Sequence, residues 1–135
     1  MNQHHGEGTF EVKVTPVESA AIAGEPELSS MAIVKEFHGA LEAASKGLML
    51  GAGAPMKGSA GYVAIEKVAG TLGGRAGSFV LQHSGTMHRG MLELSVTVVP
   101  GSGTGELSGL AGKMSIEIAA GKHFYTFDYT LESPS

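Results

Sequence analysis

Cysteine is absent from this 135-residue chain, and so is tryptophan. Without cysteine there can be no disulfide framework, no thiolate nucleophile and no Cys-ligated metal, a pattern that fits a reducing cytosol. Charged residues are scarce at 16%. No run of Lys or Arg could neutralise several phosphates, so nucleic acid is not an expected partner. No apolar stretch approaches the ~20 residues of a membrane-spanning helix. The polar opening, Met1 to Gly8, lacks the apolar segment of a secretory signal. These absences lead to the expectation of a soluble, cytoplasmic protein with no membrane partner, preceded by a loosely held leader over residues 1–8.

What remains is 42% apolar and carries 21 glycines against 5 prolines. That is enough apolar content to bury a core in one domain, expected over residues 9–132 with a short tail at 133–135. Many glycines and little sustained helical spacing point to short elements joined by tight turns. Period-2 alternation runs through nearly every window. Phe10, Val12 and Val14 alternate with Glu11, Lys13 and Thr15, and Pro16 closes that strand. Further strands are expected over Leu28–Gly39, Glu42–Ala52, Ala60–Leu72, Arg75–Met87, Leu92–Val98, Lys113–Ala119 and Lys122–Leu131. The faces of the second and third are blurred by Ala and Gly.

Two hairpins carry their own register. A turn at Gly73-Gly74 pairs Val68 with Phe79, Glu66 with Leu81 and Ala64 with His83. A turn at Ala120-Gly121 sets Ile116 opposite Tyr125, Met114 opposite Phe127 and Lys113 opposite Asp128. Apolar meets apolar in both, as a correct register requires. A faint echo supports them: Gly70, Leu72, Gly74, Ala76, Gly77 recur 35 residues on as Gly105, Leu107, Gly109, Ala111, Gly112. It aligns Phe79 with Met114 as inward residues. Eight strands joined hairpin to hairpin close most simply into a barrel, which leaves no exposed edge.

The motifs Gly58-Ser-Ala-Gly-Tyr62, Gly70-Thr-Leu-Gly-Gly-Arg-Ala-Gly-Ser-Phe79, Gln82-His-Ser-Gly-Thr86, Val98-Val-Pro-Gly-Ser-Gly-Thr-Gly-Glu-Leu107 and Phe124 to Leu131 resemble a bacterial family of small uncharacterised proteins. That family is built on the allene oxide cyclase-like barrel. The resemblance implies an all-β, eight-stranded antiparallel meander closed into a calycin-like barrel. It implies no reaction, and no substrate-binding residue of the cyclase is matched.

The register sends several polar side chains inward: Tyr62, Glu66 and His83 on strands four and five, and His123, Tyr125 and Tyr129 on strand eight. These six are the candidate ligand contacts. Glu66 and His83 are diagonal neighbours and are the candidates for acid–base work, whereas a purely structural pairing of Glu66 with His83 or Arg75 is the competing reading. Glu66, His83 and His123 would also suit a metal in type, but their spacing is not that of a ligand set, so no metal is expected. No cofactor is expected either. Gly101-Ser-Gly-Thr-Gly105 lacks the third glycine of a dinucleotide loop, and Ser84 points away from its neighbour His83.

A small barrel with a mixed polar and aromatic interior suits a small apolar or amphipathic ligand. An isomerase or cyclase using Glu66 and His83, or a ligand-free oligomeric scaffold, are the alternatives. Outward Val63, Ile65 and Val80 predict a homo-oligomer, most simply a dimer.

Overall fold

The computed structural model describes residues 2–17, 28–53 and 56–131. Eight antiparallel strands follow one another in space as in sequence. They are β1 (Asn2–Pro16), β2 (Leu28–Gly39), β3 (Leu41–Gly53), β4 (Ala60–Leu72), β5 (Arg75–His88), β6 (Met91–Val98), β7 (Ala111–Ala119) and β8 (Lys122–Leu131). Pairing of β1 with β8 closes the barrel. No helix among the described residues is long and apolar enough to cross a membrane.

Both expected registers are present: Val68 faces Phe79, Ala64 faces His83, and Ile116 faces Tyr125. Gly73 and Gly74 both take positive φ, the backbone that a two-residue hairpin turn demands. Lys113 does stand opposite Asp128, but the Asp128 carboxylate is taken by His5 Nδ1 from β1 at 2.6 Å. That contact arises because residues 2–8 do not form the expected leader. They are strand, paired with β8 from Leu131 back. Gln3, His5 and Glu7 lie on the outward face of that strand, and the inward face holds Gly6 and Gly8, with His4 stacked on Tyr129. The expected tail at 133–135 lies outside the described residues.

Glycine content, read above as turns, has a second cause. Several glycines sit at inward strand positions directly opposite a large side chain. Gly8 faces Tyr125, Gly47 faces Glu66, Gly85 faces Tyr62 and Gly112 faces Tyr129. A Cβ at Gly8 would lie 2.5 Å from the Tyr125 hydroxyl, and one at Gly85 2.3 Å from the Tyr62 ring. The interior of an eight-stranded barrel is narrow, so a large residue on one strand requires an empty place on the next.

Along the barrel axis the interior divides in two. The end bearing the Gly73–Gly74 turn is packed with Leu41, Leu72, Phe79, Phe127 and Leu131, all buried. The β6–β7 connection folds over it, sending Leu107 and Leu110 inward from a 3-10 turn at Gly105–Leu107. This connection is fastened to β5 by Thr104 N–H to Ser78 O (2.8 Å), Ser102 Oγ accepting from Val80 N–H (3.0 Å) and Glu106 accepting from Ala76 N–H (3.2 Å). The echoed glycine segments thus pack against each other at this end as hairpin and plug, not as a repeat. Toward the opposite end, the mouth, Ile33 and Ala64 stay buried, whereas Val12, Met49, Leu94 and Ile116 are half-buried, and Leu92 is 55% and Ile118 64% exposed.

Candidate functional site

The boundary between the two halves is marked by a polar cluster spread over four successive strands: Lys35 on β2, Ser45 on β3, Glu66 on β4 and His83 on β5. All four are buried, Glu66 completely. Lys35 and Ser45 are direct cross-strand partners, and the pleat points all four side chains inward. Gly47 stands opposite Glu66. A Cβ there would come within 2.7 Å of the Glu66 Cα and Cβ atoms, so the glycine is what lets the Glu66 backbone approach β3.

Glu66 is the hub. Its Oε1 accepts from Lys35 Nζ at 2.9 Å and from His83 Nε2 at 2.6 Å, and its Oε2 accepts from Ser45 Oγ at 2.5 Å. Burial pushes the carboxyl pKa up, but the bond from His83, the charge of Lys35 and the bond from Ser45 outweigh it and lower the pKa from 4.5 to about 2. Glu66 is therefore an anion at any ordinary pH. The Lys35 ammonium is further sheltered by aromatic faces, 4.9 Å from the Phe10 centroid and 5.7 Å from that of Phe37.

An ionised carboxylate only accepts, so His83 Nε2 carries a proton. His83 Nδ1 takes no hydrogen bond from any described residue. Chemically, Glu66 orients an imidazole and fixes its tautomer, the part a carboxylate plays beside a catalytic histidine.

Tyr62 and His123 lie on the same side as this cluster, toward the mouth. Tyr62 is half-buried, and burial followed by the nearby Glu66 charge raises its hydroxyl pKa. His123 is half-buried with its ring 5.0 Å from that of Phe10. The structure does not bring it to Glu66 and His83 as a ligand set. The other two expected contacts belong to the packed half. Tyr125 OH accepts from Leu41 N–H and donates to His38 O, both at 2.9 Å, and so ties β8 to the β2–β3 turn. Tyr129 packs between Phe127 (5.2 Å) and His4 (5.0 Å). Their hydroxyl or ring is committed to the fold. Arg75 takes no part in the cluster, since it sits in the exposed turn at the packed end.

Lys35 and Ser45 were not among the sequence candidates. One signal was available for Lys35: Ile33 and Phe37 flank it at spacing 2 on a strand, so an inward Ile and Phe force an inward Lys. Among the described residues, metal-ligating atoms converge at Glu11, Glu36 and His38, an exposed group on the outer wall.

The barrel wall itself is incomplete beside the mouth. Only Val96–Met114 and Thr97–Lys113 pair between β6 and β7, whereas β5 and β6 pair continuously from Leu81–Val98 to His88–Met91. Continued, the same register would set Leu94 opposite Ile116 and Leu92 opposite Ile118, but no ladder pairing forms there. This unpaired stretch of wall is flanked by four aliphatic side chains. Outside, on β3 and β4, Leu48, Leu50, Val63 and Ile65 form a contiguous block, each more than half exposed.

No curated protein matches the chain. A solved structure of a protein with unknown function from the DUF3224 family of Shewanella oneidensis MR-1 is 50% identical. The match covers 98% of this chain and 100% of that one, with a TM-score of 0.92. The family described as protein of unknown function (DUF3224) matches residues 6–129, which span the barrel from Gly6 in β1 to Tyr129 in β8. The chain belongs to the DUF3224 family.

Proposed function

We propose that this protein holds a small apolar or amphipathic molecule in the mouth half of its barrel, with the polar end of that molecule toward His83 and Tyr62. The observation that carries the reading is a charged cluster, bonded together through Glu66, placed at the floor of a half lined by Val12, Met49, Leu94 and Ile116. Buried ionic groups are a weak source of stability. Binding sites combine apolar walls with a few fixed polar groups in this way. The unpaired stretch between β6 and β7 offers the route through the wall. Titration with the neutral fluorophore N-phenyl-1-naphthylamine is expected to give saturable enhancement at one site per chain, weakened in Ile116→Trp, which enlarges the side chain beside that stretch. Non-saturable enhancement, or none, overturns the reading.

An isomerase or cyclase reading would use His83 Nδ1 as the base and Glu66 as its positioning residue, because a carboxyl held at about 2 does not donate protons near neutrality. Separately, the block of Leu48, Leu50, Val63 and Ile65 favours a second copy of the chain on the β3–β4 face. Sedimentation at micromolar concentration is expected to give a dimer, and a monomer overturns this.

A further inference from the structure

We infer that the molecule held in the mouth offers a hydroxyl or N–H donor to His83 Nδ1, and that the site selects neutral donors over carboxylates. The inference rests on the binding reading above and narrows it to a chemical class. Glu66 Oε1 already accepts from Lys35 and from His83 Nε2, and Oε2 from Ser45. One buried negative charge is thus matched by one buried positive charge on the same oxygen. A proton on both ring nitrogens would put a second cation beside Lys35 with no second anion among the described residues of the cluster. The neutral imidazole keeps the charges equal. With its proton on Nε2, it presents a lone pair at Nδ1.

Among the described residues no buried side-chain nitrogen or oxygen is left without a partner. Nδ1, which none of them reaches, is therefore not fully sealed, although His83 as a whole is only 4% exposed. It is the acceptor that the cluster leaves open, since Lys35 Nζ, the other group with bonding capacity to spare, is held against Glu66 and the Phe10 and Phe37 faces. An alcohol would complete its hydrogen bond. An ether of equal size would leave it empty. A carboxylate would meet a lone pair and bring an unmatched charge against Glu66. Ligand discrimination through one buried hydrogen bond is strong because the site's own group is otherwise left unpaired.

Competition against N-phenyl-1-naphthylamine tests this with three matched ligands: decan-1-ol, its isomer 1-methoxynonane, and decanoate at pH 7. Decan-1-ol is expected to displace the probe about tenfold more tightly than the ether, with decanoate weaker than the alcohol. In His83→Phe the alcohol-to-ether ratio should fall toward one, a readout that a merely structural role would not move. If that variant does not fold, the wild-type His83 Nδ1 resonance in a long-range 15N spectrum decides instead: decan-1-ol should shift it and 1-methoxynonane should not. Equal affinity for alcohol and ether, or tighter decanoate, overturns this inference while leaving a binding barrel. Absence of any saturable probe binding overturns both.

Discussion

The half of the barrel that carries the Gly73–Gly74 turn and the half that carries the Arg89–Gly90 and Ala120–Gly121 turns share the same eight strands but fill them differently. In the first, Leu41, Leu72, Phe79, Phe127 and Leu107 are almost wholly buried, and the β6–β7 connection seals them. In the second, inward Leu92 and Ile118 are more exposed than many outward residues, and β6 and β7 are no longer paired. Close-packed aromatic and aliphatic side chains account for the stability of a small barrel. An unfinished wall contributes little to it. The packed half holds the strands in register, which leaves the mouth half free to be shaped by something other than folding.

The sharpest way to break this comparison is to truncate one inward residue from each half. Phe79 is 1% exposed and packs on Phe127 at 5.9 Å. Phe79→Ala is expected to cost about 3–5 kcal/mol in urea unfolding, whereas Leu92→Ala should stay within about 0.5 kcal/mol. Similar losses at the two sites would mean that the mouth is core after all.

Next in size is the polar boundary. The Glu66 pKa is lowered in the fold, from 4.5 to about 2. Its contribution is therefore complete above about pH 4.5 and is lost as pH falls toward 2, amounting to about 3 kcal/mol over that window. Unfolding free energies measured from pH 6 down to pH 2 should show this drop. Glu66→Gln should flatten it, and should cost stability at neutral pH because Lys35 is left buried without its counter-charge. A wild-type profile that is flat below pH 4.5 would contradict the ionised, bonded carboxylate.

The fold was legible in the sequence because alternation and two hairpin turns state the same register independently. Glu66 beside His83 followed from the Gly73–Gly74 turn alone, by counting along the ladder. What stayed hidden depends on distances between strands that are not joined by a tight turn. Lys35 reaches Glu66 across β3; Ile33 and Phe37 give its facing, but the Ala and Gly residues of β3 leave no pattern from which the register between β2 and β4 can be counted. Tyr125 and Tyr129 were rightly sent inward, but a facing does not say which end of the barrel a residue occupies. Depth follows from strand tilt and stagger, which hydrophobic periodicity does not encode. The N-terminal strand was missed for a related reason: Gly6 and Gly8 occupy its inward places, and a glycine leaves no apolar mark.

The smallest effect concerns the turns, and it sharpens the contrast between the two ends. At the packed end the β4–β5 hairpin turns on two glycines, whereas at the mouth the first turn position is Arg89 in one hairpin and Ala120 in the other, both at φ 52°. A residue with a Cβ is strained in this left-handed region by roughly 1–2 kcal/mol, and asparagine less so because its side chain bonds locally. Ala120→Asn should therefore stabilise the chain, by up to about 1 kcal/mol. Glycine would relieve the same strain but would also enlarge the unfolded ensemble, so Ala120→Gly should gain less. The order Asn above Gly above Ala, read from urea midpoints at constant slope, is the expected result. The reverse order would mean that the mouth hairpin is not held in this conformation. It would also remove one of the three features, with the exposed interior and the unpaired stretch of β6 and β7, that set this end of the barrel apart.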